Sequence, residues 1–299
     1  LGYANKTQLE SLVRYDLSPV LTNPGLIPLL EKEAAKQKKR VKITLKCETG
    51  THRQGLLLEE IPEYTTLLKK TSFLTLEGLS THFANIEDTS DHSYARKQIT
   101  LFKEFLHRFE KAGLPPQRNH IACSAATILF PDTHYQMVRT GISSYGYWSS
   151  KETYLSFRAH TSKELNLEPV LTWKTRIGQI KDVGPDAYIG YGCTYRTNQP
   201  TRLAILPVGY YDGFDRKLSN SGHVLIHGKR APVRGRVCMN MIIVDITHIP
   251  GCRLNDEVIL LGRSGDERLT ADDMASLAGT INYEVLSRIN PLIPRRIVP

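Results

Sequence analysis

The first 150 residues alternate short β-rich runs with segments of helical periodicity. Parallel strands must be joined by a crossover, which is usually a helix, so this alternation predicts a parallel sheet, either open or closed. In one predicted helix Ile99, Phe102 and Phe105 recur at helical spacing, and Gly113 with the prolines after it ends the helix. The predicted strands are residues 19–21, 41–46, 76–83, 120–124 and 137–142.

The run Val-Lys-Ile-Thr-Leu-Lys at residues 41–46 places apolar and polar residues on opposite faces. A parallel strand that is covered on both faces normally reads apolar throughout. The polar face therefore predicts the mouth of a barrel that holds a charged ligand.

From about Leu167 the pattern changes to strands separated by glycine or proline turns. One helix is predicted in this half, because Thr270 with Asp273 forms a capping-box start and Gly279 is a typical stop. At roughly 100–200 residues per domain, a chain of 299 residues predicts two domains. We expect an α/β domain over residues 1–160 and a mostly β domain over residues 161–299. The expected strands of the second domain are residues 203–208, 223–226, 236–246 and 257–261.

The chain has 39 Lys and Arg against 30 Asp and Glu, a formal net charge of +9. The densest basic run, from Lys36 to Lys42, closes a predicted helix, where cations suit the helix dipole. No aromatic residues lie between these charges to stack on bases. We therefore predict no nucleic-acid partner, whereas an anionic small molecule suits the positive field.

No apolar run approaches the roughly 20 residues that a membrane span needs, and no signal-peptide pattern is present. These features predict a soluble cytoplasmic protein without membrane contact. The five cysteines form no C-x-x-C pair, which predicts reduced thiols. No metal is predicted, because His82, Asp88, Asp91 and His92 lack the spacing of a zinc site.

Eight short strings, in order along both halves of the chain, contain the residues that point to a function. The strings of the first half are KCETGTHRQG (46–55), THFAN (81–85), SAA (124–126) and VRTGI (138–142) with YG (145–146). The strings of the second half are IGYG (189–192) with TY (194–195), PVGYYDG (207–213), GRVCMN (235–240) and TINYE (280–284). Together they resemble the alanine racemase family over nearly the whole chain. The resemblance implies a barrel domain followed by a β domain, pyridoxal 5'-phosphate as cofactor, and a head-to-tail homodimer with shared active sites.

The resemblance also implies roles for residues that would contact the substrate. Tyr191 matches the catalytic acid/base that serves one face of the substrate Cα from the neighbouring subunit. A tyrosine normally titrates near pH 10, so it needs positive charge nearby to act as a base, and Arg53 matches the cation that supplies it. Lys46 matches a lysine that is often carbamylated and then holds this arginine. Arg53, Met239 and Tyr210 correspond to substrate-binding positions, Met239 through its backbone N–H and Tyr210 as a gate at the entrance.

A second set of matched residues would hold the cofactor. Arg139 resembles the arginine that donates to the pyridine nitrogen, and His82 resembles the residue that orients this arginine. An arginine remains charged and cannot give the ring its proton. The expected phosphate cradle consists of Ser124, Gly141, Ile142 and Tyr283.

The sequence departs from the family at several positions. It contains no string of the form V-K-A-x-A-Y-G-H-G, which carries the lysine that binds the cofactor, and Val41-Lys42 is the nearest Val-Lys pair. Thr51-His52 replaces the usual Met-Gly, Glu48 an Asp, and Cys123 an Asn. We expect the chain to begin after the third strand of the barrel and to contain a partial TIM-type barrel of the last five strands. Alone, it should bind the cofactor weakly and lack racemase activity.

The resemblance predicts that the complete protein is an alanine racemase, which interconverts L- and D-alanine for the synthesis of peptidoglycan precursors. Two alternatives stay open. A racemase of broader amino-acid specificity would share these motifs and differ in the substrate pocket. A non-catalytic relative would bind pyridoxal phosphate or serve as a dimerising partner.

Overall fold

The computed structural model describes residues 3–298 and divides them into two compact units. The first unit contains the residues up to Ser144 together with Trp148–Leu167. The second contains Tyr145–Tyr147 and the residues from Glu168 onward.

The first unit alternates helices with parallel strands. Its strands are β1 (Val20–Leu21), β2 (Val41–Lys46) and β3 (Leu74–Ser80), which pair in parallel in the order β1-β2-β3. Its helices are α1 (Leu9–Arg14), α2 (Leu26–Gln37), α3 (Ile61–Lys69), α4 (Ser93–Lys111), α5 (Ser124–Leu129) and α6 (Lys151–His160). The predicted parallel arrangement is confirmed for these three strands.

One cluster of buried apolar side chains, from the strands and from several helices that include α4, forms the core of this unit. Ile43 and Leu45 of β2 and Phe102 and Phe105 of α4 are fully buried. Burying side chains of this size stabilises a fold by about 1.5–3 kcal/mol each. The helix predicted from the spacing of these phenylalanines is confirmed, and it ends two residues before Gly113.

Two of the five predicted strands are wrong. Residues 120–124 form a single bridge, in which His120 pairs with Ser80, before the chain turns into α5 at Ser124. Residues 137–142 form no strand, although one backbone hydrogen bond, from Arg139 N–H to the Ala122 carbonyl, joins them to the preceding run. The helix begins too soon after His120 for a ladder to form.

The second unit is mostly β. Its strands are β4 (Trp173–Arg176), β5 (Gln179–Val183), β6 (Tyr188–Ile189), β7 (Tyr195–Arg196), β8 (Thr201–Leu206), β9 (His223–Ile226), β10 (Lys229–Pro232), β11 (Ile242–Asp245), β12 (Glu257–Ser264) and β13 (Glu267–Leu269). Antiparallel sheets run in the orders β10-β9-β12-β13, with β4 also on β12, and β11-β8-β5, and β6 pairs with β7.

Helix α7 (Ala271–Ala278) confirms the predicted start and stop, because Thr270 and Asp273 form a capping box and Gly279 is left-handed. The prediction of a single helix is wrong, since α8 (Asn282–Arg288) follows it. Its seven residues are too few to show a helical period. The predicted strand 236–246 is also too long: β11 covers only Ile242–Asp245, and the residues before it form a loop.

Candidate functional site

A polar cluster centred on Arg139 lies beyond the ends of β2 and β3. Arg139 Nη1 donates to the His120 carbonyl at 2.9 Å and lies 2.6 Å from His120 Nδ1. Arg139 Nη2 donates to the Thr81 carbonyl at 2.8 Å and lies 3.3 Å from His82 Nδ1. Two residues separated from Arg139 by 57 and 19 positions thus contact one guanidinium group.

The protonation states of this cluster follow from its donors. A guanidinium group can only donate, so Nδ1 of His82 and of His120 must accept, and each neutral ring carries its proton on Nε2. Burial, together with the charges of Lys46 and Arg139, lowers the pKa of His82 to about 4. Burial, then Arg139 and Lys46, lowers the pKa of His120 to about 4.

Lys46 ends β2 and is only 6% exposed. Burial, and then the neighbouring charges of Arg139 and Arg53, lower its pKa to about 8. Its amine forms no ion pair with any carboxylate in residues 3–298. Lys46 thus lies close to the cations Arg139 and Arg53, on the polar face of β2 that also carries Lys42 and Thr44.

The loop after β2 wraps around the buried carboxylate of Glu48. Glu48 accepts hydrogen bonds from the backbone N–H groups of Gly50 at 2.6 Å, Thr51 at 2.7 Å and Arg53 at 3.1 Å. Burial opposes ionisation of this carboxyl group, but the N–H donors hold its pKa below the usual range. The loop therefore fixes the backbone of Arg53, whose side chain is exposed.

A group of hydroxyl and amide groups surrounds the start of α5. Ser124 Oγ accepts from Gly141 N–H at 2.9 Å and from Ser143 N–H at 3.4 Å. The Gly141 amide, expected to contact phosphate, thus binds Ser124 here. Within the part of the chain that the structure describes, the buried Ser143 Oγ has no hydrogen-bond partner. Ile142 starts a 3-10 helix (Ile142–Tyr145), where the first amides have no partner inside the helix.

In the second unit, Tyr191 lies on a tight turn between β6 and β7 and is 73% exposed. Gly190 and Gly192 on either side have φ angles of +73° and +72°, which glycine adopts without strain. A Cβ atom at Gly192 would lie 3.0 Å from the guanidinium carbon of Arg236. The turn and the Arg236 loop are therefore in close contact.

The predicted residues Tyr210 and Met239 lie on adjoining loops. Tyr210 N–H donates to the Cys238 carbonyl at 3.0 Å, and Tyr211 N–H donates to the Met239 carbonyl at 2.9 Å. A Cβ atom at Gly209 would lie 2.3 Å from the Cys238 carbonyl oxygen, so only glycine permits this approach. Tyr283 is the second residue of α8 and is half-buried.

Three residues of these clusters were missed as site residues in the sequence. They are His120, Glu48 and Arg236. The string containing Glu48 and the string containing Arg236 mark their neighbourhoods, but no local signal marks His120 because its contact with Arg139 comes from folding.

Among residues 3–298 no group of three or more His, Cys, Asp or Glu side chains could hold a metal ion. No helix in the same residues has both the length and the apolar character to cross a bilayer.

Two family models match the chain. The model described as alanine racemase, N-terminal domain matches residues 1–149, and the model described as alanine racemase, C-terminal domain matches residues 170–297. An alanine racemase of Leptospira interrogans is 45% identical over 257 residues, which are 86% of this chain. The match covers 66% of that relative's length.

Solved structures show the same likeness. An alanine racemase of Clostridium difficile is 32% identical with a TM-score of 0.87, and the match covers 97% of this chain and 73% of that one. An alanine racemase of Bartonella henselae with covalently bound pyridoxal phosphate is 26% identical with a TM-score of 0.79, covering 97% of this chain and 76% of that one. Both units therefore have counterparts in the barrel and β domains of these proteins.

Proposed function

We propose that this chain, which belongs to the alanine racemase family, serves the interconversion of L- and D-alanine with pyridoxal phosphate as cofactor. The observation that carries the proposal is the arrangement around Arg139. Its Nη1 and Nη2 groups bind His120, Thr81 and the His82 ring. Of the five N–H donors of a guanidinium group, the two on each Nη are used in these contacts, and the one on Nε has no partner among residues 3–298 and is available to a ligand.

The residues present fit this cofactor. The Nε–H group of Arg139 suits the pyridine nitrogen as an acceptor, and the cation cannot pass its proton to the ring. The Ser143 hydroxyl group, which is buried beside Ser124 and has no hydrogen-bond partner among residues 3–298, suits a phosphate group. The Ile142 amide and Tyr283 are further candidates. When bound, the cofactor stabilises negative charge that develops at the substrate Cα, and the protein supplies binding, orientation and proton transfer.

Tyr191 is proposed as the acid/base that moves a proton to and from the substrate Cα. Arg53, Met239 and Tyr210 are proposed to contact the substrate, and Lys46 is the candidate for a modified lysine. The hydrogen bond from Arg53 N–H to Glu48 fixes the backbone at Arg53, and this supports a substrate contact because the side chain starts from a fixed position. The exposure of Met239 and Tyr210, at 57% and 43%, leaves both accessible to another molecule.

We also propose that the protein is a cytoplasmic homodimer with shared active sites. Its domains are proposed at residues 1–160 and 161–299, the first of them a partial barrel. The exposed Tyr191, at 73%, supports a shared site, because an acid/base group must be covered by something to act on a buried Cα. Three parallel strands, followed by the bridge between Ser80 and His120, support the partial barrel.

The two alternatives differ in what they predict for substrate and cofactor. A broad-specificity racemase would act on other amino acids as fast as on alanine. A non-catalytic relative would bind pyridoxal phosphate reversibly, and the lack of the V-K-A-x-A-Y-G-H-G string in these 299 residues supports this behaviour for the chain alone.

The deciding experiment adds pyridoxal phosphate to the 299-residue chain, reduces with borohydride and maps pyridoxyl-lysine by mass spectrometry. We expect reversible binding that Arg139→Met weakens, no stable label and no racemisation of alanine. Fusion to a segment that contains a V-K-A-x-A-Y-G-H-G string should give both label and racemisation. Stable labelling of a native lysine together with racemisation by the chain alone would contradict the expectation for this chain. A fusion that is labelled but inactive on every amino acid would contradict the function.

A further inference from the structure

The side chain of Gln98, on helix α4, connects two of the loops that carry candidate site residues. It is 1% exposed. Gln98 Nε2 donates to Thr49 Oγ1 at 3.1 Å and to the His82 carbonyl at 3.1 Å. Gln98 Oε1 accepts from Ala84 N–H at 2.9 Å. Both amide protons and the amide oxygen are therefore used.

The hydroxyl groups beyond Gln98 fix the direction of every bond. Thr81 Oγ1 donates its proton to the Cys47 carbonyl at 2.9 Å, so it must accept from Thr49 Oγ1, 2.7 Å away. Because Thr49 has one hydroxyl proton, it must accept from Gln98 Nε2. Ala84 N–H requires an oxygen at the other position of the amide. Only one orientation of the Gln98 side chain satisfies the whole set.

The same segment touches Arg139 on its other side. The Thr81 carbonyl accepts from Arg139 Nη2 at 2.8 Å, and the His82 ring lies 3.3 Å from that nitrogen. The backbone from Thr81 to Ala84 is thus held by Gln98 through the His82 carbonyl and the Ala84 amide, and by Arg139 through the Thr81 carbonyl. Nothing in the sequence strings marks Gln98, because it lies between two of them.

We propose that Gln98 is a positioning residue, which sets the place of His82 and through it the orientation of the Arg139 guanidinium group toward the cofactor. The orientation toward the cofactor rests on the proposed function, whereas the positioning of His82 and Arg139 by Gln98 concerns only residues of this chain. A buried amide with three satisfied bonds to two loops holds both of them, and losing it leaves the Ala84 amide and the His82 carbonyl without these partners.

The test replaces Gln98 by Met, which keeps the length of the side chain and removes all three hydrogen bonds. The control is Lys97→Ala, at the neighbouring exposed position of the same helix. Histidine ring titrations by NMR, assigned with His82→Gln and His120→Gln, are recorded without cofactor. Exchange of the Ala84 amide proton is measured in the same samples.

In Gln98→Met we expect water to enter around the loosened loop and the Arg139 guanidinium group to move away from the His82 ring. We expect the pKa of His82 to rise by at least about one unit, because burial and nearby cations lower it in the parent chain. The pKa of His120 should move less, since the hydrogen bonds of the Gln98 side chain go to Thr49, His82 and Ala84 and not to the His120 segment, and the Ala84 amide proton should exchange faster. Lys97→Ala should change none of these. An unchanged pKa of His82 in a folded Gln98→Met protein would overturn the proposal.

A second variant covers the case in which Gln98→Met does not fold. Thr49→Val removes the acceptor of one Gln98 bond and leaves Gln98 in place, so a smaller rise in the pKa of His82 is expected, and no rise would overturn the proposal. A general loosening of the unit would raise the pKa values of His82 and His120 equally, and that result would also contradict the positioning role of Gln98. Binding of pyridoxal phosphate to the parent chain is measured separately, so failure of the proposed function stays distinguishable from failure of this inference.

Discussion

The candidate site residues of the two units differ in how their side chains are held. In the first unit Arg139 makes hydrogen bonds to His120 and the segment beginning at Thr81, and Lys46 is 6% exposed. In the second unit Tyr191 and Met239 are 73% and 57% exposed, on loops whose backbones are fixed by turns and hydrogen bonds.

The two units therefore differ in whether the protein holds the side chain itself or only the backbone that carries it. The first unit builds the environment of its side chains itself, and burial among cations shifts the pKa values of His82, His120 and Lys46. In the second unit the loops fix the backbone at Tyr191 and Met239 but leave these two side chains exposed. Mutations in the first group should therefore change stability as well as function, whereas mutations in the second should change function alone.

The largest expected effect tests the exposed group. In a form that racemises alanine, Tyr191→Phe should lower the rate about 10²–10⁴-fold, the usual contribution of an acid/base group. Its unfolding free energy should change by less than about 0.5 kcal/mol, because the side chain is exposed. The rates are measured in both directions. Tyr188→Phe, at an exposed tyrosine with no assigned role, is the control, and equal rates for the two variants would refute the role of Tyr191.

The next effect tests the buried group. Arg139→Met should destabilise the first unit by about 2–4 kcal/mol, because it leaves the Thr81 and His120 carbonyls without a charged donor. Urea unfolding of the 299-residue chain measures the change, with Arg108→Met on the exposed face of α4 as the matched control. If Arg139→Met unfolds at the same urea concentration as the control, the two units do not differ in the way described.

The pH dependence of stability should reflect the two buried histidines. Their pKa is about 4 in the folded protein and about 6.5 in the unfolded chain, so the unfolded chain binds more protons between these values. The unfolding free energy should therefore fall as the pH is lowered from about 6.5 to about 4, by up to about 1.4 kcal/mol per pH unit for each histidine.

Urea titrations across this range check the expectation. His120→Gln should reduce the slope, whereas His107→Gln, at an exposed position of α4, should leave it unchanged. Equal slopes in the parent chain and in His120→Gln would show that His120 is not held neutral by its surroundings.

The smallest effect concerns the loop that carries Arg53. His52 adopts a φ angle of +48°, a left-handed conformation, at the position where the family usually has glycine. His52→Gly should stabilise the first unit by about 0.5 kcal/mol, because relief of about 1–2 kcal/mol of backbone strain is partly offset by the entropy of glycine. Thermal unfolding compares it with His107→Gly in helix α4, which should be destabilising. A loss of stability in His52→Gly would mean that the His52 side chain contributes contacts that outweigh the strain.

Local patterns predicted the elements that depend on neighbouring residues. The period of Ile99, Phe102 and Phe105 located α4, and the capping box at Thr270 located α7. Residues 120–124 were wrongly predicted as a strand, since a strand needs a partner over several residues and α5 begins too early. Helix α8 escaped prediction because it is too short to show a period.

The sequence by itself determined the parallel arrangement of the first half, the mostly β second half, the family, and the positions expected to carry chemistry. Only the tertiary structure decided which of those positions meet. Arg139 and Thr81 lie 58 residues apart in the chain, and Gln98 and Thr49 lie 49 residues apart. Contacts of this range depend on how strands and helices pack, and the pKa of His82 depends on the burial and charges that this packing creates. Neither leaves a periodic trace in the order of the amino acids.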